Sequence, residues 1–213
     1  MTNDLLYQVA LTLVPNIGDV HAKALINIFG DAQSIFKAKK KDLEIIEGIG
    51  TVRAKSIKEF TDFSSSETEI KFIEKFKIAP LFITDDNYPR RLLNCYDSPA
   101  LLYYRGNADL NTARVISVVG TRNNSDYGKL VCEKFIEGLQ SENILVVSGL
   151  AFGIDTIAHK TALKNNLLTV AVLAHGLDRI YPQQNKTLAK EITAQGGLLT
   201  DFISNTNPDK QNF

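Results

Sequence analysis

From Arg114 onward the chain alternates β-branched runs with amphipathic helical segments, and three successive runs end abruptly in loops of small residues. Val115-Ile116-Ser117-Val118-Val119 stops at Gly120-Thr121-Arg122, and Ile144 to Val147 leads into Ser148-Gly149-Leu150-Ala151-Phe152-Gly153-Ile154-Asp155. Leu168 to Leu173 then leads into Ala174-His175-Gly176-Leu177-Asp178. Helices are predicted over 127–140, through about Lys164, and from about Gln184 to Gln195, with a fourth strand from Gly197 to Phe202. Leu130, Val131, Phe135 and Leu139 share one face of the first of these helices, the side expected to meet the core. This alternation specifies an α/β fold with a mainly parallel sheet.

In such sheets ligands bind beyond the carboxyl ends of the strands, where glycines let backbone N–H groups approach and helix N-termini add partial positive charge. Phosphate suits such a place. No loop has the Gly-x-Gly-x-x-Gly or Walker lysine spacing, so neither a dinucleotide cofactor nor nucleotide hydrolysis is favoured, and no cofactor is expected. Arg122 is the obvious cation at a strand end, suited to a bidentate grip on a phosphodiester. The competing reading of Arg122 is a salt bridge to Asp126 or Asp178.

The first sixty residues read instead as short helices, with apolar positions at Leu5, Leu6, Val9 and Leu13, then Ala24, Leu25 and Ile28, then Ile57 and Phe60. Val14-Pro15-Asn16-Ile17-Gly18 and Glu47-Gly48-Ile49-Gly50 each precede a helix, at an offset of 32 residues (Gly50 minus Gly18). The pair resembles the helix-hairpin-helix family, in which a Gly-h-Gly turn presents backbone N–H groups to a DNA phosphate. Gly48, Ile49 and Gly50 form the matching copy, whereas Asn16 stands where the first copy's leading glycine belongs. These glycines serve equally well as a tight turn between helices, and both readings stay open. The lysines between Lys37 and Lys41 read as a solvated helix end.

Charge does not mark this chain as a nucleic-acid binder. There are 24 basic and 24 acidic residues, 11 of each within 1–80, so any nucleic acid must be held by a local cluster of donors. No stretch approaches the roughly 20 apolar residues of a membrane span, and no signal peptide opens the chain, so no membrane partner and a cytoplasmic location are expected. Cys95 and Cys132 lack metal-ligand spacing; both read as plain thiols, with no metal site. Ser66 and Glu69 have capping-box spacing for a helix running to about Phe76. Beyond it, Pro80, Pro89 and Pro99 punctuate one or two strands, and Arg90-Arg91 reads as a surface pair near a turn. Two domains are expected, a helical one over 1–65 and an α/β one over 66–213.

Several ordered motifs carry a further resemblance. Gly120-Thr121-Arg122, Tyr127-Gly128, Ser148-Gly149-Leu150-Ala151-x-Gly153-Ile154-Asp155 with Ala158-His159, and Gly176-Leu177-Asp178-x-x-Tyr181-Pro182-x-x-Asn185 are similar to the DprA (Smf) family of DNA-processing proteins. The resemblance covers about residues 80–210. It implies an extended Rossmann-like domain preceded by a small all-helical helix-hairpin-helix or SAM-like domain. It further implies single-stranded DNA binding, homodimerisation when full length, protection of incoming DNA and loading of RecA during natural transformation, with no enzymatic activity. Carried over, Gly120, Thr121 and Arg122 hold a phosphate, and Ser148, Gly149, Gly153 and Gly176 add donors. Asp155, His159, Asp178 and Asn185 orient the loops, and His175 is a loop residue.

The chain also departs from the family pattern. Phe152 stands where many members have arginine, exchanging a cation for a base-stacking surface. Ala174-His175 replaces the usual small pair. Asn212-Phe213 resembles the start of the family's Asn-Phe-Pro-basic-Arg-Asn-Arg motif, which would place Phe213 among the DNA contacts; without the rest of that motif, weak DNA binding and exposed apolar sheet surface are expected. Two other functions fit the residues less fully: a Rossmann-like enzyme that binds or hydrolyses nucleotides through Asp155 or Asp178, and a helix-hairpin-helix adaptor.

Overall fold

A computed structural model describes residues 3–140 and 143–212. The chain forms two compact units, Met1–Leu102 and Tyr103–Phe213.

The first unit opens with α1 (Asn3–Leu13), α2 (Asp19–Phe29), α3 (Ala32–Lys37), α4 (Lys40–Glu44), α5 (Gly50–Glu59) and α6 (Phe63–Phe76). Leu11, Leu25, Ile35, Leu43, Ile49 and Ile57 are fully buried and form its core, flanked by an aromatic cluster of Tyr7, Phe36, Phe60 and Phe63. Both hairpin turns form. The leading residue of each is left-handed, Asn16 at φ 68° and Gly48 at φ 82°, so asparagine does at the first turn what glycine does at the second. Arg53 joins the turns, its Nε donating to Asn16 O and its Nη1 to Gly48 O, each at 3.0 Å.

Helix α6 starts earlier than the capping-box spacing suggests. Asp62 is its cap, accepting from Ser65 N–H at 3.2 Å and from the Ser64 and Ser65 hydroxyls. Ser66 and Glu69 instead lie buried inside the helix. The boundary expected near residue 65 also shifts. Residues 66–102 belong with the helices because α2 binds the stretch after strand β1 (Ala79–Phe82). Asp19 Oδ1 accepts from Ala100 N at 2.9 Å, and Lys23 Nζ donates to Leu93 O, Cys95 O and Ser98 Oγ at 2.8–3.1 Å. Arg90 and Arg91 open a short 3-10 turn in this stretch.

Strand β2 (Leu101–Gly106) leads into the second unit, which continues β3 (Arg114–Ser117), α7 (Asp126–Glu137), β4 (Ile144–Ser148), α8 (Ile154–Lys164), β5 (Leu168–Val172), α9 (Lys186–Gln195) and β6 (Gly196–Thr200). The order is β2-β6-β5-β4-β3, with β3 to β6 mutually parallel and β2 antiparallel to β6. The strands advance one way across the sheet, so right-handed crossovers bring α7, α8 and α9 to one face. Ser117 pairs with Val147 and Ser148 with Ala171, a register that sets three loops side by side.

Between α7, α8 and the sheet lies a core of Cys132, Ile136, Val146, Ala158, Ala162 and Leu167. The expected core face of α7 is displaced: Leu130, Val131 and Phe135 are about half exposed, as is Val119 to a greater degree. Because β3 is the edge strand among the described residues, α7 has sheet beneath only one flank and rolls Cys132 and Ile136 toward α8.

Asn16→Gly is expected to keep stability within about 0.5 kcal/mol, whereas Asn16→Val loses about 1–2 kcal/mol because a β-branched residue resists the left-handed region. Urea unfolding followed by circular dichroism checks both.

Candidate nucleic-acid interface

The second loop is shaped by side chains that seize its carbonyls. His159 takes Gly149 O (2.6 Å), Asn185 Nδ2 donates to Leu150 O (2.8 Å), and the Thr156 hydroxyl donates to Ala151 O (2.6 Å). Asn185 also donates to Thr156 Oγ1 at 2.9 Å, so two of these anchors brace each other. Peptide planarity sets N–H opposite C=O across each bond, so drawing three carbonyls inward turns the N–H groups of Leu150, Ala151 and Phe152 the other way. Successive amides presented together form an anion-binding concavity.

His159 is fully buried, and burial pushes its pKa down to about 4. The ring is therefore neutral. Facing a carbonyl, Nε2 must carry the proton, and Nδ1 lies 2.7 Å from the Thr169 hydroxyl, which has one proton for two acceptors, this nitrogen and Val146 O at 3.0 Å. His175 is bonded on both sides as well, its Nδ1–H donating to Gly176 O at 2.9 Å while Nε2 accepts from Tyr181 N at 3.3 Å.

The first loop is fitted to the second by close packing. A Cβ on Gly120 would meet Ile154 Cγ1 at 2.5 Å. Gly153, at φ 80°, lies so close to the carbonyls of Thr121 and Arg122 that no side chain fits. Ile154 N–H donates to Thr121 O (3.2 Å), and the Ser148 hydroxyl donates to Val118 O (2.6 Å). The third loop is held by the segment after β6: Gly176 N–H donates to Thr206 O, Asp178 accepts from Asn205 N (2.8 Å) and pairs with Arg179, and Arg179 reaches Asn207.

Together the loops enclose a cleft of about 430 Å³. Of the residues carried over as DNA contacts, Gly120, Arg122, Gly149 and Phe152 line it. Thr121, Ser148, Gly153 and Gly176 do not: the Thr121 hydroxyl accepts from Asn123 N in its own loop, Ser148 and Gly153 join the second loop to the first, and Gly176 packs against Ile203 and Ser204. Phe213 lies outside the described residues. Asp178 and Asn185 both orient chain segments, Asp178 the 203–207 stretch and Asn185 the second loop. Gly48, Ile49 and Gly50 sit in the other unit, where Ile49 is buried.

Asp201 and Phe202, to which the sequence reading gave no site role, complete the wall. Tyr181 and Phe152 are each about half exposed beside Phe202, giving the cleft aromatic sides. Asn212 lines it while donating to Asn207 O at 2.9 Å. Among the lining residues Arg122 is the arginine and Asp155 and Asp201 the carboxylates, so the cleft has no positive excess. The charge of Arg122 favours the ionised form of Asp155, a carboxylate of the same cleft. Among the described residues, no group of three or more His, Cys, Asp or Glu could hold a metal, and no helix is long and apolar enough to cross a membrane.

Fold and site together define an α/β protein with a cleft at its strand ends, lined by loop residues and by the rings of Phe152, Tyr181 and Phe202. The family profile described as DNA recombination-mediator protein A matches residues 79–213, and a helix-hairpin-helix profile matches 8–70. Protein Smf of Synechocystis is 34% identical over 97% of this chain and 53% of its own length. DNA processing protein DprA of Streptococcus pneumoniae is 43% identical over 66% of this chain and 50% of its own. The X-ray structure of the S. pneumoniae DprA superposes with TM-score 0.77 at 31% identity, covering all of this chain and 71% of that one. DprA of Helicobacter pylori, described for its single-stranded DNA binding mode, gives TM-score 0.56 at 29% identity over 65% of this chain and 61% of that one. The chain belongs to the DNA recombination-mediator protein A family. It spans about half the length of the curated relatives it matches.

The buried imidazole makes stability depend on pH. With a folded pKa near 4 against an unfolded 6.5, His159 contributes about 3 kcal/mol that is fully present above pH 6.5 and lost as pH falls toward 4. His159→Gln can still donate to Gly149 O but does not titrate. Urea unfolding at pH 7 and pH 4.5 should show the wild type losing about 2–3 kcal/mol more than this variant.

Proposed function

We propose that the cleft binds single-stranded DNA, with a phosphate at Arg122 and the outward amides of the second loop and with bases against Phe152 and Tyr181. The observation that carries this reading is the inward capture of three successive carbonyls, which prepares an anion site without needing bulk positive charge. Family membership and the single-stranded DNA bound by the H. pylori relative support it. On this reading the full-length protein is a cytoplasmic, homodimeric recombination mediator that protects incoming DNA and loads RecA. The role is binding, not catalysis. Both imidazoles near the cleft are engaged with backbone groups, which leaves neither placed as an acid or base.

The test is anisotropy of labelled oligo-dT across a salt series. With a single arginine in the cleft, the expected slope of log affinity against log salt is shallow, about −0.7, and Arg122→Ala abolishes it. Phe152→Ala is expected to weaken binding about 5- to 100-fold, the range of one lost stacking contact. Hydrolysis of a nucleoside monophosphate without oligo-dT binding would replace this reading with the enzymatic one.

A further inference from the structure

The second loop already holds an anion of its own. Asp155, in the first turn of α8 and 8% exposed, directs Oδ2 at the Ala151 N–H (3.4 Å). A Cβ on Gly149 would stand 2.6 Å from that same oxygen, so the glycine is required by the protein's own carboxylate and not only by an incoming ligand. The Ser148 hydroxyl lies between this carboxylate and Val118 O with one proton for the two acceptors. Arg122, the cation of the cleft, lowers the energy of the Asp155 charge, as does the N-terminal end of α8.

Resting on the single-stranded DNA reading above, we propose that Asp155 is a resident counter-anion of the loop, occupying its innermost donor and competing with a phosphodiester for Arg122. An incoming phosphate is thereby confined to the outer amides, those of Leu150 and Phe152, and meets a like charge behind them. Asp155 then acts as an affinity-limiting residue. It keeps the cleft from holding a strand tightly, and neutralising it strengthens binding, the opposite of what a phosphate-positioning role predicts.

Burial raises the carboxyl's pKa above its ordinary value, so it loses its charge at a higher pH than a free aspartate does. The groups around it hold their states over the same range. Arg122 remains charged, the Cys132 thiol on α7 is pushed up by burial and stays protonated, and His159 one turn along α8 is neutral above about pH 4.

The experiment compares wild type, Asp155→Asn, Asp155→Ser and Arg122→Ala by oligo-dT anisotropy at fixed low salt, with a thermal melt for each. At pH 7.5 both Asp155 variants should bind about tenfold more tightly than wild type, and Arg122→Ala more weakly. As the pH is lowered stepwise the wild type should gain affinity when the carboxylate protonates, with that gain missing from Asp155→Asn. If the Asp155 variants bind no tighter while Arg122→Ala still weakens binding, the counter-anion is refuted and the DNA reading stands. If none of the three changes binding, the cleft is not the DNA site and both fall. Loss of the fold in both Asp155 variants also overturns the proposal, because it would make the carboxylate a structural requirement.

Discussion

Everything at the strand ends depends on a buried polar network with its root in His159. An imidazole sealed from water is costly unless both nitrogens are satisfied, and here one faces Gly149 O while the other meets the Thr169 hydroxyl, which it shares with Val146 O of the adjacent strand. That couples α8, β5 and the second loop through one ring. Asn185 and Thr156 extend the same device along the loop, so its conformation is imposed from below by groups out of a ligand's reach. A site prepared in this way needs little reorganisation on binding.

The α/β half was legible because strand runs, helical periodicity and small-residue loops agree along the chain, and the strand boundaries fall within a few residues of those expected. What the residues could not convey was the division of labour among the loop glycines and hydroxyls. Gly120, Gly149 and Gly153 look alike in sequence, yet Gly120 makes way for Ile154, Gly149 for the Asp155 carboxylate, and Gly153 for the backbone of the first loop. Ser148 looked like a ligand donor and is turned instead to Val118 O. Long-range partners decide such roles, and local spacing is blind to them. The face of α7 shows the same limit: periodicity located an apolar stripe but not which part of it meets the core, because that depends on β3 being an edge.

In the helical unit the sequence overstated the difference between the two turns. Asparagine tolerates the left-handed region better than most residues, so the absence of the leading glycine did not abolish the first hairpin. The two turns nevertheless differ in their surroundings. Asp19 and Lys23 of α2 are committed to residues 93–100, whereas Lys58 of α5 donates to Phe36 O and Ala38 O.

The guanidinium of Arg53 has a consequence for motion. Bonded to Asn16 O and Gly48 O at once, it ties together two loops separated by 32 positions in the chain (48 minus 16), and it stays protonated at any accessible pH. Neither turn can open alone without leaving a carbonyl and a guanidinium N–H to water. The pin thus favours joint opening of the two hairpins, by the modest energy of two exposed hydrogen bonds that water can replace.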